Sequence, residues 1–359
     1  MVNVLARRVL LVLAGAGAVL AVLGGLARLG VWSMGASVAP HHGPLLAVGV
    51  FGAVIGLERA VALAHPAALA PPVLNLLGAA ALLAGFPFAP WVLVGGVALL
   101  VVVNGVIVRR QREAFTWLML AGSAVLLAGT VGWALGQPVY AATPAWLGFF
   151  VLTIAAERLE LSRLIPTPAW APKVLLAVAL VLVVTAGVEV VEPLSAGRPF
   201  GVGLTLVGLW QLRFDLARRT VRGHGLPKFT AVGVLGAALW LTVTGVLWVT
   251  VDRVPAGPRA DALLHGVFVG YVLSMVFAHA PIILPAVARV PVPFHAVLYA
   301  PLALLHVGLL LRVVGDLAVE AVRGAGGVLT ALALPLFAVA VLVARWQVGA
   351  PTERVATAP

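Results

Sequence analysis

The sequence contains no cysteine and few charged residues. None of its 359 residues is cysteine, and Asp, Glu, Lys and Arg together make up 10% of the chain, whereas soluble domains carry about 25%. The absence of cysteine excludes disulfides, thiolate metal sites, iron–sulfur clusters and covalent attachment of c-type haem. The shortage of charge, with 62% hydrophobic residues and a mean hydropathy of +1.13, excludes an ordinary soluble enzyme and a disordered chain. These properties are typical of a polytopic helical membrane protein.

Acidic residues are scarcer than basic ones. The sequence contains 12 Asp and Glu residues and 23 Lys and Arg residues, which gives a formal net charge of +11. Nucleic-acid binding needs a soluble surface that displays the basic residues. Here the basic residues lie in short segments between apolar runs, where they report membrane topology. We therefore expect no nucleic-acid partner. We expect the protein to be surrounded by membrane lipid.

The apolar runs predict an all-α transmembrane bundle of about 12 spans, because one spanning helix needs about 20 apolar residues. Residues 1–346 form a single predicted domain, and residues 347–359 form a short cytoplasmic tail. The predicted spans are roughly 8–29, 40–64, 71–87, 90–108, 114–136, 143–163, 172–191, 199–214, 228–251, 261–286, 294–314 and 325–346, of which the third and eighth are short.

The distribution of positive charge predicts the orientation of the bundle. With the N-terminus inside, all but six of the 23 Lys and Arg lie in inner loops or at inner helix ends. Cytoplasmic loops carry such an excess. Both termini are therefore predicted to be cytoplasmic, in a multi-pass protein of a prokaryotic-type inner membrane. The six basic residues on the outer side are Arg28, Arg198, Arg253, Arg259, Arg312 and Arg323.

Four histidines are expected in the outer half of the bundle. His41 and His42 open the second span, His265 lies near the outer end of the tenth, and His306 lies near the middle of the eleventh. Neutral imidazole is a usual ligand of haem iron and copper, so their convergence predicts a haem site. The alternatives are an interfacial histidine pair in water for His41 and His42, and a neutral buried ring bonded to a backbone carbonyl for His306.

Two further histidines are candidates for copper or for a second, deeper centre. His279 lies 14 residues after His265, close to four helical turns and about 21 Å along the axis, so the two cannot bind one metal atom. Tyr271 and Met275 lie between them and are candidate supporting residues. His295 lies at the inner end of the eleventh span, where a structural role is the alternative.

A charged group is predicted near the inner ends of two spans. Glu58 and Arg59 end the second span, and Glu157, Arg158 and Glu160 lie in the inner part of the sixth. Opposite charges at this depth favour ion pairs between helices. The alternative is a proton path from the cytoplasm.

The histidine segments resemble a known family. Twelve spans with histidines at the outer ends of a few helices resemble the haem–copper oxidase architecture, and the segments HHGPLLAVGVFGAVIG and LHGVFVGYVLSMVFAHAP resemble more closely the NnrS-type membrane proteins, which bind haem and copper and are associated with nitric oxide metabolism. The resemblance implies His-ligated b-type haem and copper. It departs from the oxidases because no HxH pair occurs, and because Tyr271 is set about 80° from the face of His279. The residues that carry the resemblance are His42, Gly43, Phe51, Gly52, His265, Gly266, Gly270, His279 and His306.

The leading functional hypothesis is an integral membrane haem or haem–copper protein in electron transfer or nitric oxide chemistry. Whether it is an oxidoreductase, with catalytic residues of its own, is left open. Its electron donor would be a cytochrome, a cupredoxin or a quinol, because the sequence has neither cysteine nor a soluble domain. The alternatives are a cofactor-free transporter or channel, and a non-catalytic membrane subunit or assembly factor of a respiratory complex.

Overall fold

The computed structural model describes residues 3–33, 35–251 and 255–349. This part of the chain is helical and contains no β-strand. Its twelve long helical segments are α1 (Val4–Arg28), α2 (Ala39–Leu63), α3 (Pro66–Leu83), α4 (Ala89–Arg110), α5 (Ala114–Ala134), α6 (Val139–Leu164), α7 (Trp170–Val191), α8 (Gly197–Phe214), α9 (Gly225–Thr250), α10 (Pro258–Ala288), α11 (Ala296–Leu317) and α12 (Glu320–Gln347).

Eleven of these helices are long and apolar enough to cross a membrane, and α8 is the exception within the described residues. This helix has 18 residues, with Arg198 near its start and Arg213 near its end. It nevertheless lies inside the bundle, antiparallel to both neighbours. A Cβ at Gly203 would meet Leu182 of α7, and one at Gly208 would meet Thr242 of α9.

The helices end where the local sequence predicts. The helix α2 stops at Ala64, which has a left-handed backbone with φ of 55°, and Pro66 follows. The helix α10 stops in the same way at Arg289, with φ of 52°. Left-handed residues and nearby prolines are common helix stops. The predicted tail, 347–359, lies outside the described residues from residue 350 onward.

The helix α6 is the centre of the bundle. In its most apolar 18-residue stretch, 83% of the residues are buried, against 22% for α1. Trp146, Phe149 and Phe150 of α6 are almost fully buried in the main hydrophobic core. The helix α6 is therefore held in place by its neighbours on most sides and can form one side of an internal site. The helix α1, in contrast, lies at the periphery of the bundle.

Two helices contain a π-helical segment that was not predicted from the sequence. Leu45–Phe51 in α2 and Gly266–Leu273 in α10 are wound with this wider turn, and each begins within three residues of a histidine, His42 or His265. Such segments often occur at functional sites. In α10 the segment changes the angular relation between His265 and His279, a relation that was predicted from the turns of a regular α-helix.

Candidate functional site

A large cavity runs along the bundle, and most of the candidate residues line it. Its volume is about 860 Å³, near the upper end of the range of about 300–1,000 Å³ for small-molecule and cofactor sites. Its walls are formed by α1, α2, α6, α10 and α12, with Arg312 from α11. We call the end at His42 and His265 the histidine end, and the end at Glu58 and Glu157 the carboxylate end.

At the histidine end, the rings of His42 and His265 lie close together with their planes nearly parallel. Their centroids are 6.2 Å apart and their planes differ by 13°. His42 bonds through Nδ1 to the carbonyl oxygen of Ala21 on α1, at 2.6 Å. His265 bonds through Nδ1 to the carbonyl oxygen of Asp261, at 2.9 Å. Because a carbonyl can only accept, each ring carries its proton on Nδ1 and has Nε2 as a free lone-pair donor.

The position of His42 depends on Gly25 of α1. A Cβ at Gly25 would lie 2.8 Å from Cε1 of His42 and 3.1 Å from its Nδ1. No side chain larger than hydrogen fits between helix and ring without a shift. Gly25 and the carbonyl of Ala21 together fix both the position and the tautomer of His42.

The separation of the pair is small enough for two ligands of one metal atom. A histidine nitrogen binds a metal at about 2 Å and the ring centroid lies roughly 1 Å further out, so two rings that share a metal have centroids at most about 6 Å apart. The observed centroids are 6.2 Å apart. Both Nδ1–H groups donate to carbonyls, the usual arrangement behind metal-binding histidines. The residues present therefore fit a bis-histidine haem.

Charged residues surround the histidine end. Arg312 donates to both carboxylate oxygens of Asp261, at 2.7 and 3.0 Å. Asp261 Oδ1 lies 3.2 Å from Nδ1 of His265, and Arg323 donates to Asp316 at 2.5 Å. Arg28, Arg312 and Arg323 also line the cavity. Three arginines against two aspartates leave this end positive, which suits a ligand with anionic groups.

At the carboxylate end, the predicted charged group forms ion pairs between helices. Arg59 of α2 donates to Glu157 of α6 at 2.8 Å and lies 3.7 Å from Glu58. Arg158 donates to Nε2 of His279 at 3.1 Å, and Nδ1 of that ring bonds to the carbonyl of Met275 at 2.8 Å. One ion pair of the expected kind, Arg59 with Glu157, is thus present between α2 and α6.

The remaining members of the predicted site have different surroundings. Glu160 is exposed, and it is not among the residues that line the cavity. Met275 lines the cavity, whereas Tyr271 is fully buried and accepts a hydrogen bond from Gln211 of α8 at 2.6 Å. His279 accepts from a cation, so its Nε2 is engaged and less suited to a metal.

The other predicted ligand histidines lie away from the cavity walls. His306 accepts a hydrogen bond from Trp240 at its Nδ1, at 3.0 Å, so its Nε2 carries the proton and faces Ser274 Oγ at 3.3 Å. His295 lies before the helix that it was expected to begin, and it accepts a hydrogen bond from the backbone N–H of Val297. Neither these residues nor His41 line the cavity. Among the described residues, no three His, Asp or Glu side chains converge in a way that could hold a metal ion.

Several site residues were not found from the sequence. Asp261 was missed as a partner of His265, although it precedes His265 by four residues, one helical turn. Arg312 was missed as the partner of Asp261. Asp215, just after α8, is buried and was also missed. Burial raises the pKa of the Asp215 carboxyl, and the nearby Arg158 guanidinium partly opposes this. Only the three-dimensional packing brings Asp215 near Arg158.

The comparisons with known proteins give a family but no activity. A family model described as "Domain of unknown function (DUF8744)" matches residues 7–346. None of the curated proteins that were compared matches the chain. The matched region contains both ends of the cavity and nearly the whole of all twelve helices. The chain therefore belongs to the DUF8744 family of domains of unknown function.

Proposed function

We propose that this protein is an integral membrane haem protein in which His42 and His265 bind the iron of one b-type haem, and that it acts in electron transfer or nitric oxide chemistry. The observation that carries this proposal is the histidine pair. Its rings lie close enough together for a shared metal, and both Nδ1 positions are fixed by carbonyl acceptors. A bound haem would supply an iron that accepts and donates single electrons and binds small ligands.

The surroundings of the pair support haem rather than a bare metal ion. The cavity of about 860 Å³ has room for a cofactor of this size. Apolar side chains such as Phe51, Phe150 and Phe268 line it. Arg28 and Arg323 also line it and can pair with the carboxylates of a haem. A lone copper ion would need neither the volume nor the apolar wall, so the proposal does not include copper.

We also propose the topology of twelve spans with both termini in the cytoplasm of a prokaryotic-type cell. The antiparallel packing of α8 between α7 and α9 supports counting it as the twelfth span. The excess of basic residues on the side of the N-terminus supports the orientation. In this topology the histidine end faces the outside. The proposed likeness to NnrS-type proteins depends on the same residues, His42 and His265.

Single histidine substitutions test the proposed site. Purified wild-type protein should show a haem spectrum, recorded as reduced minus oxidised, with iron by metal analysis. His42→Ala and His265→Ala should each lose or strongly alter it. His41→Ala is the matched control, because His41 adjoins His42 in sequence but does not line the cavity. His306→Ala should also keep the spectrum.

Three results would count against the proposal. Colourless, iron-free protein after expression with haem supplied would refute it and favour a cofactor-free transporter or a non-catalytic membrane subunit. Unchanged spectra in both His42→Ala and His265→Ala would show that the haem lies elsewhere. Loss of the spectrum in His41→Ala or His306→Ala, with His42→Ala normal, would assign the ligands to the other predicted histidines.

A further inference from the structure

The carboxylate end has hydrogen-bonding capacity that the protein itself does not use. Glu58 lines the cavity, and its only polar contact among the described residues is Arg59, at 3.7 Å. Arg158 also lines the cavity and is 5% exposed. It has five N–H donors, and its one hydrogen bond within the described chain goes to His279. A free acceptor and free donors thus lie at the same end of one cavity.

Among the residues that line this end of the cavity or form ion pairs with its carboxylates, the charges cancel. Glu58 and Glu157 are opposed by Arg59 and Arg158, and His279 is neutral because its Nε2 accepts from Arg158. A phosphate head group would need surplus positive charge, and a bound cation would need several converging oxygen ligands. The balance favours a neutral ligand with both hydroxyl donors and oxygen acceptors.

The cavity reaches the surface of the bundle at membrane depth. Gly15 of α1, Val276 of α10 and Ala338 of α12 all line the cavity, which is open rather than enclosed, and all three are exposed. Each lies well inside its helix, at least nine residues from either end, so the opening faces hydrocarbon rather than water. Leu284 and Leu334 lie along the same apolar wall. A ligand can therefore enter from the lipid phase and leave an apolar tail between these helices.

We propose that the carboxylate end binds a quinol, a neutral dihydroxy ring with a long apolar tail. One ring hydroxyl donates to Glu58, a ring oxygen accepts from Arg158, and the tail passes between α1, α10 and α12. The binding site stands on the geometry of this end alone, whereas its meaning as the entry point of electrons rests on the proposed haem function.

Binding of a short-chain quinol tests the site directly. Decylubiquinol, kept reduced under argon, is titrated into purified full-length protein in detergent, with binding followed by calorimetry. We expect saturable binding of one molecule per chain. Glu58→Gln should raise the Kd at least tenfold, because a charge-assisted hydrogen bond is lost. Glu160→Gln, which removes an exposed carboxylate of α6 outside the cavity, should leave the Kd within twofold.

A second pair of variants tests the lateral opening. Val276→Trp narrows the opening, since Val276 is 37% exposed and lines the cavity, and it should raise the Kd at least tenfold. Val307→Trp adds the same bulk to α11 at a position that is exposed but outside the cavity wall, and it should change nothing.

The outcomes separate this proposal from the haem proposal. Absence of saturable binding, a Kd unaffected by both Glu58→Gln and Val276→Trp, or displacement of the quinol by dioleoyl phosphatidylglycerol alone would overturn the quinol site. The haem spectrum of the same samples is recorded in parallel. An intact haem spectrum without quinol binding leaves the proposed function standing, and quinol binding to haem-free protein refutes the proposed function alone.

Discussion

Replacing Gly25 with alanine tests whether α1 holds His42 in its ligand position. The new Cβ would lie 2.8 Å from Cε1, 3.1 Å from Nδ1 and 3.3 Å from Nε2 of the ring. The ring cannot retreat freely, because its Nδ1 is bonded to the carbonyl of Ala21 at 2.6 Å. Losing that hydrogen bond costs about 1 kcal/mol, and overpacking costs about 1–3 kcal/mol. We expect haem affinity to fall roughly 30- to 700-fold, since the two costs sum to about 2–4 kcal/mol and about 1.4 kcal/mol corresponds to a factor of ten.

The matched control is Gly15→Ala on the same helix. No atom lies within 4 Å of a Cβ at Gly15, and alanine has the higher helix propensity by up to about 1 kcal/mol. Haem occupancy is measured from the absorbance spectrum per protein, with thermal unfolding as a check on folding. Gly15→Ala should match or exceed the wild type in both. If Gly25→Ala retains as much haem as Gly15→Ala, then the contact between α1 and His42 does not position the ring.

Three further substitutions have expected effects on stability, measured by thermal unfolding in detergent. Burial raises the pKa of Asp215 above 3.8, so the folded protein holds this proton more tightly than the unfolded chain, and stability falls as the pH rises from about 4 through the raised pKa. Asp215→Asn should therefore unfold at a higher temperature than the wild type at pH 7 and at the same temperature near pH 4; a constant difference at both pH values would contradict this. Arg312→Leu leaves the partly buried Asp261 without its two hydrogen bonds from Arg312 and should cost about 3 kcal/mol, the low end of the cost of breaking a buried pair, part of which returns when Asp261→Leu is added. Arg59→Met should lower the stability by about 3 kcal/mol, because Glu157 loses its ion pair. The double variant with Glu157→Met should recover most of this lost stability. No recovery would show that Arg59 and Glu157 are not energetically coupled.

Most of the fold could be predicted from composition and apolar runs. The predicted second span, 40–64, corresponds to Ala39–Leu63, and the predicted fourth, 90–108, corresponds to Ala89–Arg110. This agreement has a physical cause, because hydrocarbon leaves helices as the only economical way to satisfy a spanning backbone. The third span is shifted toward the N-terminus, to Pro66–Leu83, because prolines at the start of a helix are tolerated and do not mark its end.

The arrangement of the site was less predictable, because it depends on which helices are neighbours. The position of His306 near the middle of its span predicts a high free-energy cost of burying its ring. In the structure, however, Trp240 and Ser274 are hydrogen-bond partners of this ring. A sequence shows the depth of a polar residue but not its partners. The same is true of the pairing of His42 with His265 and of the contact of Gly25 with His42. Both contacts join residues that are far apart in the chain, so the sequence alone does not reveal them.

The two ends of the cavity depend on each other through two helices. The helix α2 carries both His42 and Glu58, about 24 Å apart at 1.5 Å per residue, and α10 carries both His265 and His279. At the carboxylate end, Arg59 ties α2 to α6 and Arg158 ties α6 to α10. These contacts set the spacing of α2 and α10 against the most buried helix of the bundle. The separation of the histidine rings at the other end therefore depends on ion pairs and hydrogen bonds that touch no ligand of the proposed haem.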